Sequence, residues 1–280
     1  IGWATEIVAD NESNFYYSRI ASEVIAKRNS SGALQWLYSF DPSASQSVEG
    51  IELGGNGKLF LYGTENLTIL TDLNLGAPTF YANLTYEGET IKAVSAAHDE
   101  GYFFVVTKDD TNGNFSFYQY ADDDGMVWEG NELVGTLSFS PVDQNISSDS
   151  DALLAADMTA WAYPLAIFKN KDDSNAYNFL SFEWNFASVW ANNKVRPGNI
   201  SENYSNYVLT VERTGNDPIT TVGATSTEGN GKIIIHNYNA QYEREYNYTG
   251  TIVSLVSFDV LDLDSGVSYT NGTVPINSGD

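Results

Sequence analysis

Ten asparagines in this chain begin an Asn-X-Ser/Thr tripeptide, and the chain has no cysteine. In this tripeptide the side-chain amide of asparagine is the acceptor for an N-linked glycan. Chance would give roughly five such tripeptides at this content of Asn, Ser and Thr, so the motif is enriched about twofold. The acceptors are Asn11, Asn29, Asn66, Asn83, Asn114, Asn145, Asn199, Asn203, Asn247 and Asn271. Their spread from end to end predicts a sugar-covered surface and an extracellular or cell-surface protein. The alternative is that turn chemistry, which favours Asn, Ser and Thr, produced them by accident.

Three of these tripeptides have an aromatic middle residue: Phe115, Tyr204 and Tyr248. An aromatic ring beside a glycosylated asparagine can lie under the first sugar and bury its apolar face. Strand alternation is the other explanation for the same spacing. A third reading is that the abundant aromatic residues form a binding site for a free glycan.

Few residues are suited to catalysis. The histidines are His98 and His236, and each stands alone beside a turn or a strand end. No cysteine nucleophile, Gly-X-Ser-X-Gly elbow or His-Glu-X-X-His motif is present. The glycine-rich run at residues 54–57 has no helix pattern after it, so it indicates a hairpin turn and not a phosphate cradle. We therefore predict that the protein is not an enzyme and has no cofactor beyond covalent glycans.

Acidic turns are candidates for calcium. Residues 109–113, 122–125 and 262–266 place carboxylates in tight turns ending in glycine, and hard oxygen ligands suit Ca²⁺. None fits the EF-hand loop, and acidic turns of this kind are common as plain solvated hairpins. We therefore assign no metal-binding residue.

The formal net charge of −24, from 13 basic and 37 acidic residues, argues against binding nucleic acid or an anionic membrane. No apolar run approaches the length of a membrane-spanning helix, which predicts no membrane span. The first residues lack the basic and apolar regions of a signal peptide, so we expect them to be a mature N-terminus.

Apolar and polar residues alternate in short runs bounded by Gly, Asn and Asp, which predicts an all-β fold. Apolar strands begin at Phe15, Leu59, Phe103, Leu165 and Tyr207, mostly 42 to 44 residues apart. A second residue follows each of them at similar spacing: Trp36, Phe80, Trp128, Trp190 and Lys232. A period in the low forties with several strands per unit is typical of a β-propeller. We expect Trp36, Trp128 and Trp190 to be equivalent and buried between blades.

Residues 22–36, 48–53 and 57–64 resemble the β-propeller repeat of secreted and cell-surface proteins, the SBBP type. The resemblance lies in Ala26-Lys27, the turn glycine Gly32, Gln35-Trp36, Gly50-Ile51 and the run from Gly57 to Gly63. Only this copy matches well, and the later copies diverge. The resemblance implies a propeller fold, and it says little about function because propellers host many functions.

We predict a single domain over residues 1–280 with five blades; six blades with one incomplete, or four, are the alternatives. Innermost strands are expected at residues 5–9, 50–53, 91–97, 153–158 and near 196–201. Residues 251–280 would form a strand and tail. The strand, residues 251–261, would either close the ring beside the N-terminal strand or pair with a neighbouring subunit, and we favour the second role.

These expectations combine into one hypothesis. The chain would be a non-enzymatic, heavily N-glycosylated structural subunit of a surface layer or a glycan-coated filament. Its partners would be other copies of itself and glycans. The alternative is a carbohydrate-binding module, a lectin or adhesin head, that uses aromatic loops on one face of the propeller.

Overall fold

The computed structural model describes residues 4–10, 12–19, 24–39, 48–54, 57–97, 101–121, 132–159, 163–183, 185–197, 204–211, 220–226, 229–237 and 242–250. Its strands form five four-stranded antiparallel sheets. Each sheet is built from consecutive strands, so it is one blade. The predicted all-β propeller is confirmed, and the described residues form five blades, as predicted.

The blades have these strands, from innermost to outermost. Blade 1 contains β1 (Ala4–Ala9), β2 (Phe15–Arg19), β3 (Val24–Arg28) and β4 (Leu34–Ser39). Blade 2 contains β5 (Gly50–Leu53), β6 (Leu59–Tyr62), β7 (Asn66–Thr71) and β8 (Thr79–Thr85). Blade 3 contains β9 (Glu89–Ala96), β10 (Tyr102–Asp109), β11 (Phe115–Ala121) and β12 (Glu132–Phe139). Blade 4 contains β13 (Leu153–Met158), β14 (Pro164–Lys169), β15 (Tyr177–Phe182) and β16 (Val189–Val195). Blade 5 contains β17 (Tyr204–Val211), β18 (Thr220–Ser226), β19 (Asn230–His236) and β20 (Tyr242–Thr249). A 3-10 helix (Pro141–Gln144) lies between blades 3 and 4.

Successive innermost strands lie against one another, in the order β1, β5, β9, β13, β17. The space between each pair of neighbouring blades is filled by apolar side chains. Tyr16 and Trp36 pack between blades 1 and 2, Phe60 and Phe103 between blades 2 and 3. The largest core lies between blades 3 and 4, and a fourth joins blades 4 and 5. Radial packing of this kind buries blade faces that one sheet alone would leave in water.

Each outermost strand has an irregularity in its pairing with the third strand. In every blade the outer strand has one more residue than its partner near its start, which is a β-bulge. The extra residues are Gln35, Tyr81, Val134, Trp190 and Glu243. The bulge shifts the following side chains to the other face of the sheet, so it decides which residues of the outer strand reach the core.

The innermost strands confirm much of the predicted repeat. The boundaries expected for β5 and β13 match the structure, and those for β1 and β9 differ by one or two residues. The fifth blade was predicted wrongly: its innermost strand is β17, whereas Arg196 and Pro197 lie in the link after β16. The repeat groups Tyr207 with Phe15, Leu59, Phe103 and Leu165, which lie on or at the start of second strands, but Tyr207 lies on the innermost strand β17. The true second strand, β18, has the sequence TTVGATS, which lacks the large apolar residues that marked the other second strands.

The blade order gives the molecule two distinct ends. Because strands alternate in direction, the turns between second and third strands and the links between blades lie at one end, called here the linker end. The turns between first and second and between third and fourth strands lie at the opposite end, called here the far end. Residues 251–280, predicted as a closing or assembly strand and tail, lie outside the described residues.

Candidate glycosylation sites

Six of the ten predicted acceptors lie among the described residues: Asn29, Asn66, Asn83, Asn114, Asn145 and Asn247. All six are exposed or partly exposed, so an enzyme could reach them. Asn11, Asn199, Asn203 and Asn271 lie outside the described residues. Three of the six lie on strands and three lie in connections between strands.

Asn29 lies in the turn between β3 and β4. Its Oδ1 accepts hydrogen bonds from the N–H groups of Ser31 at 3.2 Å and Ala33 at 2.9 Å, and from Ser31 Oγ at 2.7 Å. A backbone N–H can only donate, so the oxygen is fixed towards the turn. These three hydrogen bonds hold the side-chain oxygen of Asn29 against the turn. None of them uses the amide nitrogen, which is the atom that would carry a glycan.

Asn66 and Asn83 form a reciprocal pair across β7 and β8. The register places Asn66 opposite Thr85 and Asn83 opposite Thr68. Thr85 Oγ1 lies 2.8 Å from Asn66 Oδ1, and Thr68 Oγ1 lies 3.2 Å from Asn83 Oδ1. Each acceptor asparagine therefore contacts the hydroxyl group of the other tripeptide. Two glycans here would leave the same sheet face from diagonal positions about 7–8 Å apart.

The remaining three acceptors lie in a turn, a link and an outermost strand. Asn114 precedes β11, and its carbonyl accepts a hydrogen bond from the N–H of Asp109 at 2.9 Å. Asn145 ends the 3-10 helix in the left-handed conformation, with φ of 56°. Asn247 lies exposed on β20, where Lys232 Nζ donates to its Oδ1 at 3.0 Å. An ammonium group can only donate, so this contact again engages the side-chain oxygen.

The described acceptors are concentrated at one end of the propeller. Asn66 begins β7 at the linker end, Asn114 and Asn145 lie in connections at that end, and Asn83 and Asn247 lie in the half of their strands nearest to it. Asn29 alone among the six lies at the far end. The predicted acceptors therefore face mainly in one direction.

The far end instead has exposed apolar residues on the rim. Leu34, Phe80, Leu133 and Trp190 lie within the first two residues of β4, β8, β12 and β16, and each is 47 to 54% exposed. We call these four residues the far-end belt. Leu34, Phe80 and Leu133 occupy the same place in three successive blades, just before the bulge residue, whereas Trp190 is itself the bulge residue of β16. Exposed large apolar side chains can mark interaction surfaces.

The buried-tryptophan prediction is correct for Trp36 and wrong for Trp190. Trp36 is buried between blades 1 and 2, where its Nε1 donates to the carbonyl of Leu73 at 3.0 Å. Trp190 is half exposed because it is the bulge residue of β16; the residue equivalent to Trp36 is Ala191. Trp128 lies outside the described residues. Phe80 is also exposed, and Lys232 lies on a third strand rather than an outermost one.

The aromatic middle residues of the tripeptides are core residues where the structure describes their side chains. Phe115 is fully buried and packs edge-on against Phe168 with ring centroids 5.0 Å apart. Tyr204 is also buried. Neither ring lies under a sugar position, so strand alternation explains this spacing, and the idea of an aromatic platform beside these asparagines is wrong at both positions.

The acidic turn at residues 109–113 uses its carboxylates internally. Asp109 Oδ1 accepts from the N–H groups of Thr111 at 2.7 Å and Asn112 at 3.1 Å, and Asp110 Oδ1 accepts from Thr90 Oγ1 at 2.7 Å. The hydrogen bond from the N–H of Asn112 is the main reason that the pKa of Asp109 is lowered. Within the described ranges no group of three or more His, Cys, Asp or Glu side chains could hold a metal. The turns at 122–125 and 262–266 lie outside those ranges.

His236 lies fully buried between blades 4 and 5. Its Nε2 is 2.8 Å from the hydroxyl of Tyr177, and its ring stacks on Phe179 with centroids 4.9 Å apart. These contacts give it a packing role in this interface. His98 lies outside the described residues.

Comparison with known proteins identifies the fold. No protein-family model and no curated protein matches the chain. The WD40 domain of SCAP from fission yeast is similar, with a TM-score of 0.56 and 10% identity over 88% of this chain and 52% of that one. A protein of unknown function from Bacteroides caccae has a TM-score of 0.50 and 11% identity over 81% of this chain and 69% of that one. The chain thus spans about half the length of the SCAP domain. WD40 domains are β-propellers, so the comparison supports the propeller part of the predicted resemblance.

None of the helices in the described part of the chain is long and apolar enough to cross a membrane. The sequence did not predict the segregation of acceptors from the far-end belt. A correct strand alignment would have suggested it, because the acceptors sit near starts of third strands and ends of outermost strands.

Proposed function

We propose that the chain is a non-enzymatic structural protein of the cell exterior. It would be an N-glycosylated propeller subunit that associates with copies of itself into a surface layer or a glycan-coated filament. The observation that carries this proposal is the separation of two surfaces: acceptor asparagines towards the linker end, and the far-end belt on the opposite rim.

The separation suits a subunit that must both carry sugar and touch a neighbour. A bulky, hydrated glycan prevents close protein contact at the linker end. The far-end belt offers apolar side chains, and burying apolar surface favours association. The net charge of −24 makes copies of the chain repel one another, so the contact surface has to supply apolar burial or bind cations.

Electron micrographs of the native material test the proposal. We expect fibres or layers with a repeating particle. The double variant Phe80→Ser and Leu133→Ser should remain folded and yield separate particles, because it removes half of the far-end belt. The matched control is Val142→Ser, an exposed apolar residue at the linker end, which should leave the polymers intact. Separate particles in the unaltered native material would overturn the proposal.

A carbohydrate-binding role is the second candidate, and one observation favours it. Trp190 is half exposed and lies beside Tyr163, with ring centroids 6.0 Å apart. Exposed aromatic rings with apolar faces can stack on a sugar ring. A glycan array distinguishes the two functions: a lectin would bind a defined glycan and lose it on Trp190→Ala, whereas a structural subunit would bind none.

A further inference from the structure

An enzyme that glycosylates an acceptor tripeptide must reach two of its residues. It attaches sugar to the asparagine, and it also reads the hydroxyl group of the third residue, since the motif requires Ser or Thr there. The exposure of that third residue differs widely among the described tripeptides. Thr68 and Ser116 are each 5% exposed, whereas Ser31 is exposed. The fold therefore presents some of these tripeptides and hides others.

The tripeptide that begins at Asn66 is built into the middle of blade 2. Leu67 and Thr68 lie on the third strand, β7, which pairs with β6 on one side and with β8 on the other. Leu67 is fully buried in the core between blades 2 and 3. The hydroxyl group of Thr68 donates to Oδ1 of Asn83, an asparagine of another tripeptide, at 3.2 Å. Presenting this hydroxyl group to an enzyme requires β7 to leave the sheet.

The tripeptide that begins at Asn114 has the same position in blade 3. Phe115 and Ser116 lie on the third strand, β11, between β10 and β12. Phe115 is fully buried against Phe168 of blade 4, and Ser116 Oγ lies 2.8 Å from Ser138 Oγ. Freeing this tripeptide would open the core between blades 3 and 4. Opening a core strand costs a free energy close to that of global unfolding, so the open state is rare.

The tripeptide that begins at Asn29 lies outside the sheet. Ser30 and Ser31 are exposed in the turn between β3 and β4. Ser31 Oγ donates to Oδ1 of Asn29 at 2.7 Å, so the hydroxyl group and the acceptor amide are presented together. A β-carbon at the next residue, Gly32, would have no atom within 4 Å, which shows that the turn stands clear of its surroundings. An enzyme can therefore reach this tripeptide without any strand opening.

We infer that Asn66 and Asn114 can receive a glycan only before their blades fold, whereas Asn29 can receive one on the folded propeller. In the transfer, the amide nitrogen bonds to the anomeric carbon of a glycosyl pyrophosphate and loses one proton. The bond from that carbon to the pyrophosphate oxygen breaks, and the pyrophosphate leaves with the electron pair. This inference rests on the glycosylation proposed above and adds the stage at which each site can be used. The other described acceptors are intermediate, because their hydroxyl residues are partly or fully exposed: Asn83, Asn145 and Asn247.

Glycosylation of the full-length bare chain in vitro tests this inference. The chain is made in a host without N-glycosylation, its fold is checked by circular dichroism and thermal unfolding, and it is incubated with an oligosaccharyltransferase and a glycosyl pyrophosphate. Synthetic peptides containing each tripeptide give its rate without the fold. We expect Asn29 in the folded chain to react within about threefold of its peptide, and Asn66 and Asn114 at least about a hundredfold more slowly than theirs, because their strands must open first.

Two results of this assay would overturn the inference. One is transfer to Asn66 or Asn114 in the folded chain at the rate of the matching peptide. The other is a folded chain in which Asn29 stays bare although its peptide reacts. The control Ser31→Ala removes an exposed hydroxyl group and should abolish transfer to Asn29 while leaving the fold intact. Native protein without sugar would refute the proposed function, but it would not alter these rates.

Backbone hydrogen exchange gives an independent measurement on the native protein, which also covers a bare chain that fails to fold. The amides of Thr68 and Ser116 lie on strands paired on both sides, whereas Ser30 lies in the exposed turn. We expect the first two to exchange at least about a thousandfold more slowly than Ser30, because exchange requires the same strand opening. Equal exchange at the three positions would contradict the inference.

Discussion

Two interfaces between blades differ in which residue fills the space beside the outermost strand. One lies between blades 1 and 2, and the other lies between blades 3 and 4. In blade 1 the residue after the bulge is Trp36, and its ring reaches across to the carbonyl of Leu73 in the next blade. In blade 3 the equivalent residue is Gly135, which has no side chain to offer. A β-carbon there would lie 1.8 Å from the carbonyl oxygen of Asn185, so the loop of blade 4 packs directly on the glycine.

The loop of blade 4 supplies the missing side chain. Phe186 follows Asn185 in a left-handed conformation, with φ of 53°, and inserts between Phe117 and Phe182. One interface is therefore filled by a large residue of the outer strand, and the other by a large residue of the facing loop. The same space between blades must be filled, but the sequence position that fills it is not fixed.

The largest expected effects are those of Trp36→Ala and Phe186→Ala. Each removes a buried aromatic side chain and leaves a cavity, so each should lower the free energy of unfolding by about 3–5 kcal/mol. Trp36→Ala also removes one donor to the carbonyl of Leu73. Urea unfolding of the two variants measures both changes. If Phe186→Ala were harmless, the loop would not be the counterpart of Trp36.

Gly135→Ala should have an intermediate effect. The added methyl group meets backbone atoms of Asn185, which cannot rotate away as a side chain could, and overpacking of this kind costs about 1–3 kcal/mol. Gly76→Ala is the matched control, because a β-carbon at Gly76 would have no atom within 4 Å. Thermal unfolding would compare the pair. Equal melting temperatures for both variants would argue against the close approach at Gly135.

Trp190→Ala should have the smallest effect on stability. The ring is half exposed at the bulge of β16, and surface substitutions usually change stability by no more than about 0.5 kcal/mol. The same urea measurement applies. A loss as large as that of Trp36→Ala would mean that the two tryptophans are equivalent after all, and that the bulge is not where the register places it.

Bulges and side-chain size determine how much of the fold can be predicted from the sequence. The alternation and the period gave the all-β propeller, and the limits of β5 and β13 were predicted to the residue. The sequence wrongly predicts that Trp190 is buried, because a one-residue bulge turns a side chain to the other face of the sheet. The bulge changes the spacing between repeats by only one residue, so the repeat does not reveal it. The fifth blade was misaligned because β18 lacks large apolar residues, so Tyr207 on β17 was the nearest match.

The candidate site was predictable as a set of positions but not as a surface. The acceptor tripeptides can be read directly from the sequence, whereas their orientation depends on which end of which strand each one occupies. Asn66 and Asn83 are 17 positions apart, yet strand pairing makes them neighbours on one face. The middle residues Phe115 and Tyr204 point into the core for the same reason, since alternation sends neighbouring side chains to opposite faces.

The most direct test of a glycan-bearing linker end is the intact mass of the native protein before and after deglycosylation. The account predicts a mass well above the 30.8 kDa of the bare chain, which falls to about that value after treatment. Peptide mapping should then locate sugar on Asn66, Asn83, Asn114, Asn145 and Asn247. A native mass equal to that of the bare chain would contradict the glycan claim and remove the main support for an extracellular role.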